Sequence, residues 1–288
     1  MVKAILELLR ITQWIKNLFV FVPLLFSLHL FHQSYFLTVL FAFSIFCLTS
    51  SIVYIINDIV DIEADRQHPI KKNRPIPSGK ISIKFALSIA SVLLIIIISL
   101  LYFLPLLFIY SVAAFLILNI FYTFIFKHIV ILDIFSIAAG FAIRVVAGAF
   151  VISVEISNWL ILTTMFISLF LAVMKRYTEL NLQSAEAEKS RKVLSQYSLE
   201  FTSQLSTVAA AALIICYALY TVSVRTVSVF GTENLIFTTP FVVFGIFRYM
   251  FLVYMNHEGE NTSKMMITDL QMILTVFLYI VTIILIVY

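Results

Sequence analysis

Charged residues are scarce in this sequence. Asp, Glu, Lys and Arg make up only 12% of the 288 residues, whereas 62% are hydrophobic and the mean hydropathy is +1.08. Soluble domains carry about 25% charged residues, so the composition excludes an ordinary soluble protein. Because a transmembrane helix needs roughly 20 apolar residues, the length accommodates about eight to ten spans, with little left over for a separate soluble domain. We predict one membrane domain over residues 1–288.

Cysteine is also rare, and the N-terminal residues are not those expected of a cleavable leader. Cys47 and Cys216 both lie in apolar runs, which predicts packed thiols and no disulfide framework. Lys3, Arg10 and Lys16 are scattered among apolar residues, without a small-residue cleavage site after them. We therefore expect an uncleaved segment at the membrane interface.

Nine apolar windows follow along the chain, at about 17–33, 35–57, 84–104, 106–126, 129–153, 158–174, 203–224, 235–255 and 269–288. Backbone groups in lipid must bond within the protein, and runs of this length suit helices better than barrel strands. The predicted fold is an all-α, polytopic membrane bundle of about nine transmembrane helices.

The distribution of Lys and Arg predicts the orientation, because short cytoplasmic loops retain basic residues. With the N-terminus inside, the outer loops hold only Arg225, and the C-terminus lies outside. Both long polar loops, 58–83 and 175–202, then face the cytoplasm of a plasma (inner) membrane. The inner segments hold Lys3, Arg10, Lys16, Arg66, Lys71, Lys72, Arg74, Lys80, Lys84, Lys127, Lys175, Arg176, Lys189, Arg191, Lys192 and Lys264.

The stretch "NDIVDIEADRQHPIKKNRPIPSG", residues 57–79, interrupts the apolar pattern with a cluster of acids. Asp58, Asp61 and Asp65 follow an i, i+3, i+7 spacing, which brings three carboxylates to one side of a helical end. Like charges repel there unless cations offset them. Magnesium suits such a cluster, because it binds a few carboxylates while keeping waters and ligating phosphates.

A basic half follows the acids, in Arg66, Lys71, Lys72 and Arg74. Guanidinium forks and ammonium groups are what multiply charged phosphates require, so acids beside bases indicate a metal-bound diphosphate. A merely solvated charged loop is the alternative. The Pro-rich segment 75–79 predicts a rigid turn after the cluster.

These residues resemble a known family. Asn57, Asp58, Asp61 and Asp65 form NDxxDxxxD, and together with "RPIPSG" (residues 74–79) the stretch is similar to the first signature of the UbiA superfamily of intramembrane prenyltransferases. The resemblance implies a bundle of about nine helices, Mg²⁺ held by the three aspartates, and substrate contacts from Asn57 and the basic half.

The second cytoplasmic loop departs from the family pattern. Most members have another aspartate pair there, but "KRYTELNLQSAEAEKSRKVLSQYS" (175–198) contains no aspartate. With "QWIKN", "DRQHPIKKNRPI", "LDIFSIAAGFAIR", "KRYTEL" and "FRYM", the chain resembles the decaprenyl-phosphate phosphoribosyltransferase branch. That branch implies transfer of 5-phosphoribose from phosphoribosyl diphosphate (PRPP) to a long polyprenyl phosphate, releasing diphosphate, for envelope pentose polymers.

A phosphoribosyl donor needs a second anion site, for its 5-phosphate. In the matched segment, Lys175 and Arg176 are candidates for the phosphate, with Tyr177 and Glu179 for sugar hydroxyls. Their alternative is basic flanking and a simple i, i+4 pair between Lys175 and Glu179. Lys16 is a candidate for the acceptor phosphate, with an interfacial anchor as its alternative.

Charges also occur inside the predicted helices, where they are costly. Asp133 and Arg144 are eleven residues apart, about 16 Å along a helix, so direct contact is not expected. We assign them, with Arg248, to the wall of a polar cavity. Asp269 accompanies Arg248 at the ends of the last two spans.

Two other functions remain open at this stage. A UbiA-type prenyltransferase acting on an aromatic or other small acceptor would use the same acidic cluster. A transporter would use Asp133 and Arg144 as a solute path, but the internal repeat expected of it is not evident. The expected partners are PRPP, a polyprenyl phosphate and the membrane, without nucleic acid, and self-association into a homo-oligomer is left open.

Overall fold

The computed structural model describes residues 2–68, 70–183, 193–256 and 268–287, and these ranges contain helices and no strand. The predicted all-α class is therefore confirmed. The helices are α1 (Val2–Leu9), α2 (Val22–Leu25), α3 (Gln33–Val60), α4 (Ile62–Gln67), α5 (Ile83–Leu101), α6 (Leu106–Phe124), α7 (Leu132–Val151), α8 (Asn158–Gln183), α9 (Leu199–Val222), α10 (Val224–Phe230), α11 (Thr239–Asn256) and α12 (Leu270–Val287). Short 3-10 segments cover Ile11–Phe21, Lys71–Asn73, Phe126–His128, Leu194–Gln196 and Asn234–Thr238.

Eight helical stretches in the described ranges are long and apolar enough to cross a membrane, so the chain is a multi-pass membrane protein. They are Gln33–Val60, Ile83–Leu101, Leu106–His128, Leu132–Val151, Asn158–Asn181, Leu199–Val222, Asn234–Met255 and Leu270–Val287. A ninth span requires Val2–Leu9 and Ile11–Leu25 to cross together, although the pair bends by 40°.

The first apolar window differs from its predicted form. The window 17–33 is not one helix, because it begins within the 3-10 segment Ile11–Phe21 and continues as α2, which ends at Leu25, before the left-handed Leu28 (φ 62°). The bend between α1 and the 3-10 segment lies at Arg10, whose backbone is also left-handed, with φ 51°, a conformation that ends a right-handed helix. The predicted orientation depends on this bent pair acting as the ninth span, and it stays a prediction.

The helix starts follow ordinary capping chemistry. The Ser82 hydroxyl accepts a hydrogen bond from the Phe85 N–H at 3.3 Å, and the Ser198 hydroxyl accepts one from the Phe201 N–H at 3.0 Å. These bonds satisfy amide groups that the first turn of a helix leaves without carbonyl partners. The loops preceding α5 and α9 therefore end where the sequence supplies a serine.

The chain divides into two compact units: Met1–Lys127 with Ile143–Glu155, and His128–Ala142 with Ile156–Tyr288. Helix α7 contributes its first part to the second unit and its last part to the first. The single domain expected over 1–288 stays a prediction. Among the cations used to predict the orientation, Lys189, Arg191, Lys192 and Lys264 lie outside the described residues.

In the first unit, α3 is the central helix, and α1, α5, α6 and the Ile11–Phe21 segment pack against it. Phe46 makes edge-to-face contacts with Phe108 and Phe115, with ring centroids 5.9 and 5.5 Å apart. At Gly148 of α7, a Cβ atom would lie 2.1 Å from the Val20 carbonyl oxygen. Glycine is therefore required for this close approach.

In the second unit, α8 and α9 pack closely along their length, and α11 packs with α12 and α9. Its core includes Phe170 and Tyr249, which meet edge to face at 5.5 Å. Cys47 in the first unit and Cys216 in the second are buried free thiols. The packed thiols predicted from the sequence are therefore confirmed. Apolar side chains on the outer surface of the membrane helices are compatible with a lipid environment.

Candidate active site

The acidic stretch lies where α3 passes into α4. Asp58 is in the last turn of α3, Asp61 caps its C-terminus, and Asp65 is in α4. The amide of Asp61 bonds the Asn57 carbonyl at 2.9 Å, and the amide of Asp65 bonds the Asp61 carbonyl at 2.8 Å. Helical hydrogen bonding therefore continues across the junction, and Asp58 and Asp65 stay on one side, as their spacing predicts.

Asp58 and Asp65 converge on one basic side chain. The Nη1 atom of Arg74 lies 3.1 Å from Asp58 Oδ1 and 2.5 Å from Asp65 Oδ2. The two carboxylate side chains are 1% and 6% exposed. The like-charge repulsion expected for this spacing is thus offset by a shared guanidinium group.

Two further cations come from elsewhere in the first unit. Arg10, at the break after α1, donates from Nη2 to Asp58 Oδ1, and its guanidinium lies 4.8 Å from the centroid of the Tyr54 ring. Lys127 Nζ contacts Asp61 Oδ1 at 2.6 Å. Sequence reasoning counted Arg10 and Lys127 only toward topology. No sequence signal separated them from the other cytoplasmic cations.

The remaining basic residues of the stretch have other environments. Arg66 pairs with Glu63 at 3.1 Å, where both side chains are exposed. Lys72 is exposed and Lys71 is half-buried beside His68, whose Nδ1 accepts from its amide at 3.4 Å. The phosphate roles predicted for Arg66, Lys71 and Lys72 stay predictions.

The turn after the cluster is present. The Gly79 amide donates to the Ile76 carbonyl at 3.0 Å, and Gly79 has φ 77°, which glycine adopts readily. Pro75, Ile76 and Pro77 are buried. These buried residues directly follow Arg74, and the chain turns at Gly79 after them, which confirms the predicted turn.

The residues of this cluster fit a divalent cation. One oxygen of Asp58 and one of Asp65 both contact the same atom, Arg74 Nη1, so these two carboxylates are close enough to bind one metal ion. Carboxylates supplemented by water and phosphate oxygens are the ligands Mg²⁺ uses. Within the described ranges no group of three or more His, Cys, Asp or Glu side chains is arranged to hold a metal. In this cluster the third carboxylate, Asp61, contacts Lys127 instead. The third carboxylate ligand stays a prediction.

Asn57 and Asn17 anchor the surroundings of the cluster. Asn57 Oδ1 accepts from the Thr123 hydroxyl of α6. Asn17 is fully buried and its Oδ1 accepts from Arg144 Nε at 2.7 Å. Lys16, beside Asn17, is half-buried. The substrate roles predicted for Asn57 and Lys16 stay predictions.

The two charges of α7 have separate partners. Arg144 belongs to the first unit, where it bonds Asn17 and lies 4.5 Å from the centroid of the Phe115 ring. Asp133 belongs to the second unit and accepts from Arg176 Nε at 2.8 Å. The expected lack of direct contact between Asp133 and Arg144 agrees with these partners, while their role in a cavity wall stays a prediction.

A second polar cluster, in the second unit, gathers around Asp133. Arg176 also donates from Nη1 to Glu179, and the Tyr197 hydroxyl donates to Asp133 Oδ1 at 2.7 Å. Burial, together with the hydrogen bond to Asp133, raises the pKa of Tyr197, so its hydroxyl is protonated at neutral pH. Sequence reasoning missed Tyr197. It is one tyrosine in a polar loop, and nothing local marked it.

The side chains at the end of α8 differ in exposure. Arg176 is 2% exposed, whereas Lys175 is 50% and Glu179 30% exposed. Lys175 Nζ lies 3.9 Å from Glu179 Oε1, the i, i+4 pair anticipated from the sequence. Tyr177 meets Tyr254 edge to face at 4.7 Å. The donor contacts predicted for these residues stay predictions.

Arg248 forms a two-pronged ion pair. Its Nε and Nη2 donate to the two oxygens of Asp269 at 3.2 and 2.7 Å. Asp269 Oδ1 also accepts from the Met272 amide at the start of α12. The pair therefore ties α11 to α12, and the substrate role predicted for Arg248 stays a prediction.

Comparison with known proteins gives similarity along most of the chain. A sequence model described as the UbiA prenyltransferase family matches residues 18–285. The chain is 34% identical over 227 residues to decaprenyl-phosphate phosphoribosyltransferase of Mycolicibacterium smegmatis, covering 77% of this chain and 71% of the relative. It is 31% identical over 224 residues to the enzyme of the same name from Mycobacterium tuberculosis, covering 76% and 74%.

Solved structures have a similar fold. A UbiA homolog from Archaeoglobus fulgidus bound to GPP and Mg²⁺ has a TM-score of 0.73 and 17% sequence identity, with 99% of each chain covered. Digeranylgeranylglyceryl phosphate synthase has a TM-score of 0.65 and 19% identity, covering 99% of this chain and 98% of that one. At these identities the likeness concerns the fold alone, and it confirms the predicted helical membrane architecture.

Proposed function

The chain belongs to the UbiA prenyltransferase family, and we propose that within it the protein is a transferase that moves 5-phosphoribose from PRPP to the phosphate of a long-chain polyprenyl phosphate. The relatives at 31–34% identity, named decaprenyl-phosphate phosphoribosyltransferase, support this donor and acceptor. The observation that carries the proposal is the convergence of buried Asp58 and Asp65 on one cation position, with basic side chains around them.

The reaction exchanges one bond at the anomeric carbon of ribose. An oxygen of the acceptor phosphate forms a bond to that carbon, and the bond from the carbon to diphosphate breaks with its electron pair leaving on diphosphate. The product is a phosphodiester that joins the lipid to phosphoribose. Because the second pKa of a phosphate monoester is about 6, the acceptor is largely a dianion at neutral pH, and we assign no general base.

The leaving diphosphate is assigned to the acidic cluster of the first unit. Asp58 and Asp65, with Asp61, would hold Mg²⁺, and the ion would neutralise charge developing on the leaving group. Arg74 and Arg10 supply guanidinium groups, which bind phosphate oxygens in pairs. Both guanidinium groups contact Asp58, and Arg74 also contacts Asp65, so they lie beside the carboxylates proposed to hold the metal.

The ribose and its 5-phosphate are assigned to the end of α8. Lys175 is half exposed, so its ammonium can reach an anion, and the carboxylate of Glu179 can accept hydrogen bonds from sugar hydroxyls. A prenyl chain offers neither a second phosphate nor hydroxyls. A donor of the phosphoribosyl class is therefore better matched to this segment, in which 175–198 contains no aspartate.

The decisive experiment incubates the purified, lipid-reconstituted protein with Mg²⁺, polyprenyl phosphate and radiolabelled PRPP. We expect label in the lipid phase and one diphosphate released per product. Asp58→Ala and Asp61→Ala are expected to abolish turnover while the protein still inserts into the membrane. Consumption of prenyl diphosphate with an aromatic acceptor, and no lipid-phase label from PRPP, would establish the rival prenyltransferase instead.

A further inference from the structure

The turn that leads into α7 has a strained backbone. Ile131 has φ 69°, a left-handed conformation that is unfavourable for a β-branched residue and is held only when surrounding contacts fix it. Its N–H donates to the hydroxyl oxygen of Tyr197 at 2.7 Å, and its carbonyl accepts from the Phe135 amide at 3.0 Å. Tyr197 is thus one of the groups that hold this turn.

The same hydroxyl also fixes the first acidic residue of α7. Tyr197 donates to Asp133 Oδ1, and Asp133 Oδ2 accepts from Arg176 Nε, so both carboxylate oxygens are engaged. The Asp133 and Arg176 side chains are 0% and 2% exposed. A buried ion pair gives little net stability on its own, so its value here lies in fixing where each side chain points.

The hydrogen-bonded chain ends on an accessible carboxylate. Arg176 donates from Nη1 to Glu179, whose side chain is 30% exposed. The order is Tyr197, Asp133, Arg176 and Glu179, in which the first three are buried and the last reaches solvent. A rigid group fixed by buried partners is the usual way to present a ligand-binding carboxylate.

We propose that Tyr197 is a positioning residue, which acts through Asp133 and Arg176 to orient the Glu179 carboxylate toward the hydroxyls of the sugar donor. This inference rests on the proposed function, because it takes the donor to be a ribosyl diphosphate. It also changes the part played by Arg176: the guanidinium orients Glu179, and the 5-phosphate is left to Lys175.

Tyr197→Phe tests this chain with little change in packing. The ring stacks on Phe201 with centroids 6.1 Å apart, and phenylalanine preserves that contact while removing the hydroxyl. Losing a hydrogen bond to a charged group should raise the KM for PRPP about tenfold. The KM for polyprenyl phosphate should not change, and the shift in melting temperature that PRPP induces should shrink at a fixed PRPP concentration.

Tyr217→Phe is the matched control. Tyr217 is a buried tyrosine of the same unit, and its hydroxyl lies 2.5 Å from the Thr238 hydroxyl. We expect this variant to keep both KM values. If Tyr197→Phe and Tyr217→Phe give the same KM for PRPP, or if Tyr197→Phe raises both KM values together, the positioning role is refuted.

Asp133→Asn changes the second residue of the hydrogen-bonded series that runs from Tyr197 to Glu179. Asparagine keeps an oxygen that can accept from Tyr197 but loses the charge facing Arg176, so the same rise confined to the KM for PRPP is expected. An unchanged KM for PRPP in this variant would also refute the inference.

Ile131→Gly tests the turn. Glycine adopts a positive φ without steric cost, so the need for the Tyr197 hydrogen bond at this turn is reduced. The KM for PRPP of the double variant Ile131→Gly, Tyr197→Phe should be about threefold lower than that of Tyr197→Phe alone. If the double variant has the same KM for PRPP as Tyr197→Phe, the strained turn plays no part in orienting Glu179. Wild-type protein that transfers no phosphoribose overturns the proposed function, whereas normal wild-type transfer with an unchanged KM for PRPP in Tyr197→Phe overturns this inference alone.

Discussion

Asp58→Asn tests whether the carboxylate at the centre of the acidic cluster holds its cations in the folded protein. Asp58 is 1% exposed and accepts hydrogen bonds from both Arg10 and Arg74, whose side chains are 21% and 30% exposed. Asparagine has nearly the same shape, so the change removes charge with little change in packing. Both guanidinium groups then lose a buried carboxylate partner.

The magnitude follows from the burial of the partners. Breaking a fully buried ion pair costs about 3–5 kcal/mol, and an exposed pair contributes about 0–1 kcal/mol. Because the carboxylate is buried and both guanidinium groups are partly exposed, we expect a loss of about 2–3 kcal/mol of unfolding free energy. At about 2–4 °C per kcal/mol, the scaling for chains of about 150–250 residues, the melting temperature falls by about 4–12 °C.

The assay is thermal unfolding of the detergent-purified protein, followed by intrinsic fluorescence, with and without Mg²⁺. Glu63→Gln is the control, because Glu63 and Arg66 form an exposed pair in the same stretch, and its melting temperature should change by less than about 2 °C. Mg²⁺ should stabilise the wild type and Glu63→Gln but not Asp58→Asn. A melting temperature of Asp58→Asn equal to or above that of the wild type would refute the reasoning, since repulsion between aspartates would then outweigh their pairing.

Three further changes probe other parts of the structure. Gly148→Ala should lower the melting temperature by several degrees, because its Cβ would lie 2.1 Å from a backbone oxygen, whereas Gly245→Ala, with its nearest atom at 3.8 Å, should be tolerated. The hydrogen bond from Arg248 lowers the pKa of the Asp269 carboxyl, so this ion pair stabilises the fold above the unfolded pKa of about 3.9 and the contribution is lost as pH falls through the folded value. The melting temperatures of wild type and Asp269→Asn should therefore differ at pH 7 and converge as the pH falls below the unfolded pKa and through the lowered folded value. Lys127→Met removes a cation that competes for its aspartate partner, so less Mg²⁺ should be needed for half-maximal thermal stabilisation.

Each of these has a contrary result. Equal melting temperatures for the two glycine variants would mean that the backbone shifts without cost. A difference between wild type and Asp269→Asn that does not depend on pH would show that the carboxylate charge contributes nothing. A higher Mg²⁺ requirement in Lys127→Met would mean that the lysine supports the metal site and does not compete with it.

Much of the acidic cluster could be predicted from local spacing. The i, i+3, i+7 pattern placed Asp58 and Asp65 on one side of a helical end, and helical hydrogen bonds continue across the α3–α4 junction. The spacing could not predict that Asp61 would turn to Lys127, which is 66 residues away. Periodicity describes a side chain's direction on its own helix, and the partner on another helix depends on how the two pack.

The α7 charges show the same limit. Asp133 and Arg144 looked like one polar feature because both belong to one helix, yet Asp133 pairs with Arg176, 43 residues away, and Arg144 with Asn17, 127 residues away. The length and apolarity of α7 were evident from hydropathy. Its division between two compact units was not, because no local composition marks where a helix changes neighbours.

The sequence alone determined the class of this protein and its helical membrane segments, because a bilayer demands long apolar helices whose backbone groups bond internally. It also determined that carboxylates and bases would lie together near residues 57–79. Tertiary structure decided which cation pairs with each carboxylate, and it added Arg10, Lys127 and Tyr197 to the polar clusters. It also buried Arg176 while leaving Glu179 accessible. Those choices depend on contacts between residues far apart in sequence, which only the packing of the helices brings within hydrogen-bonding distance.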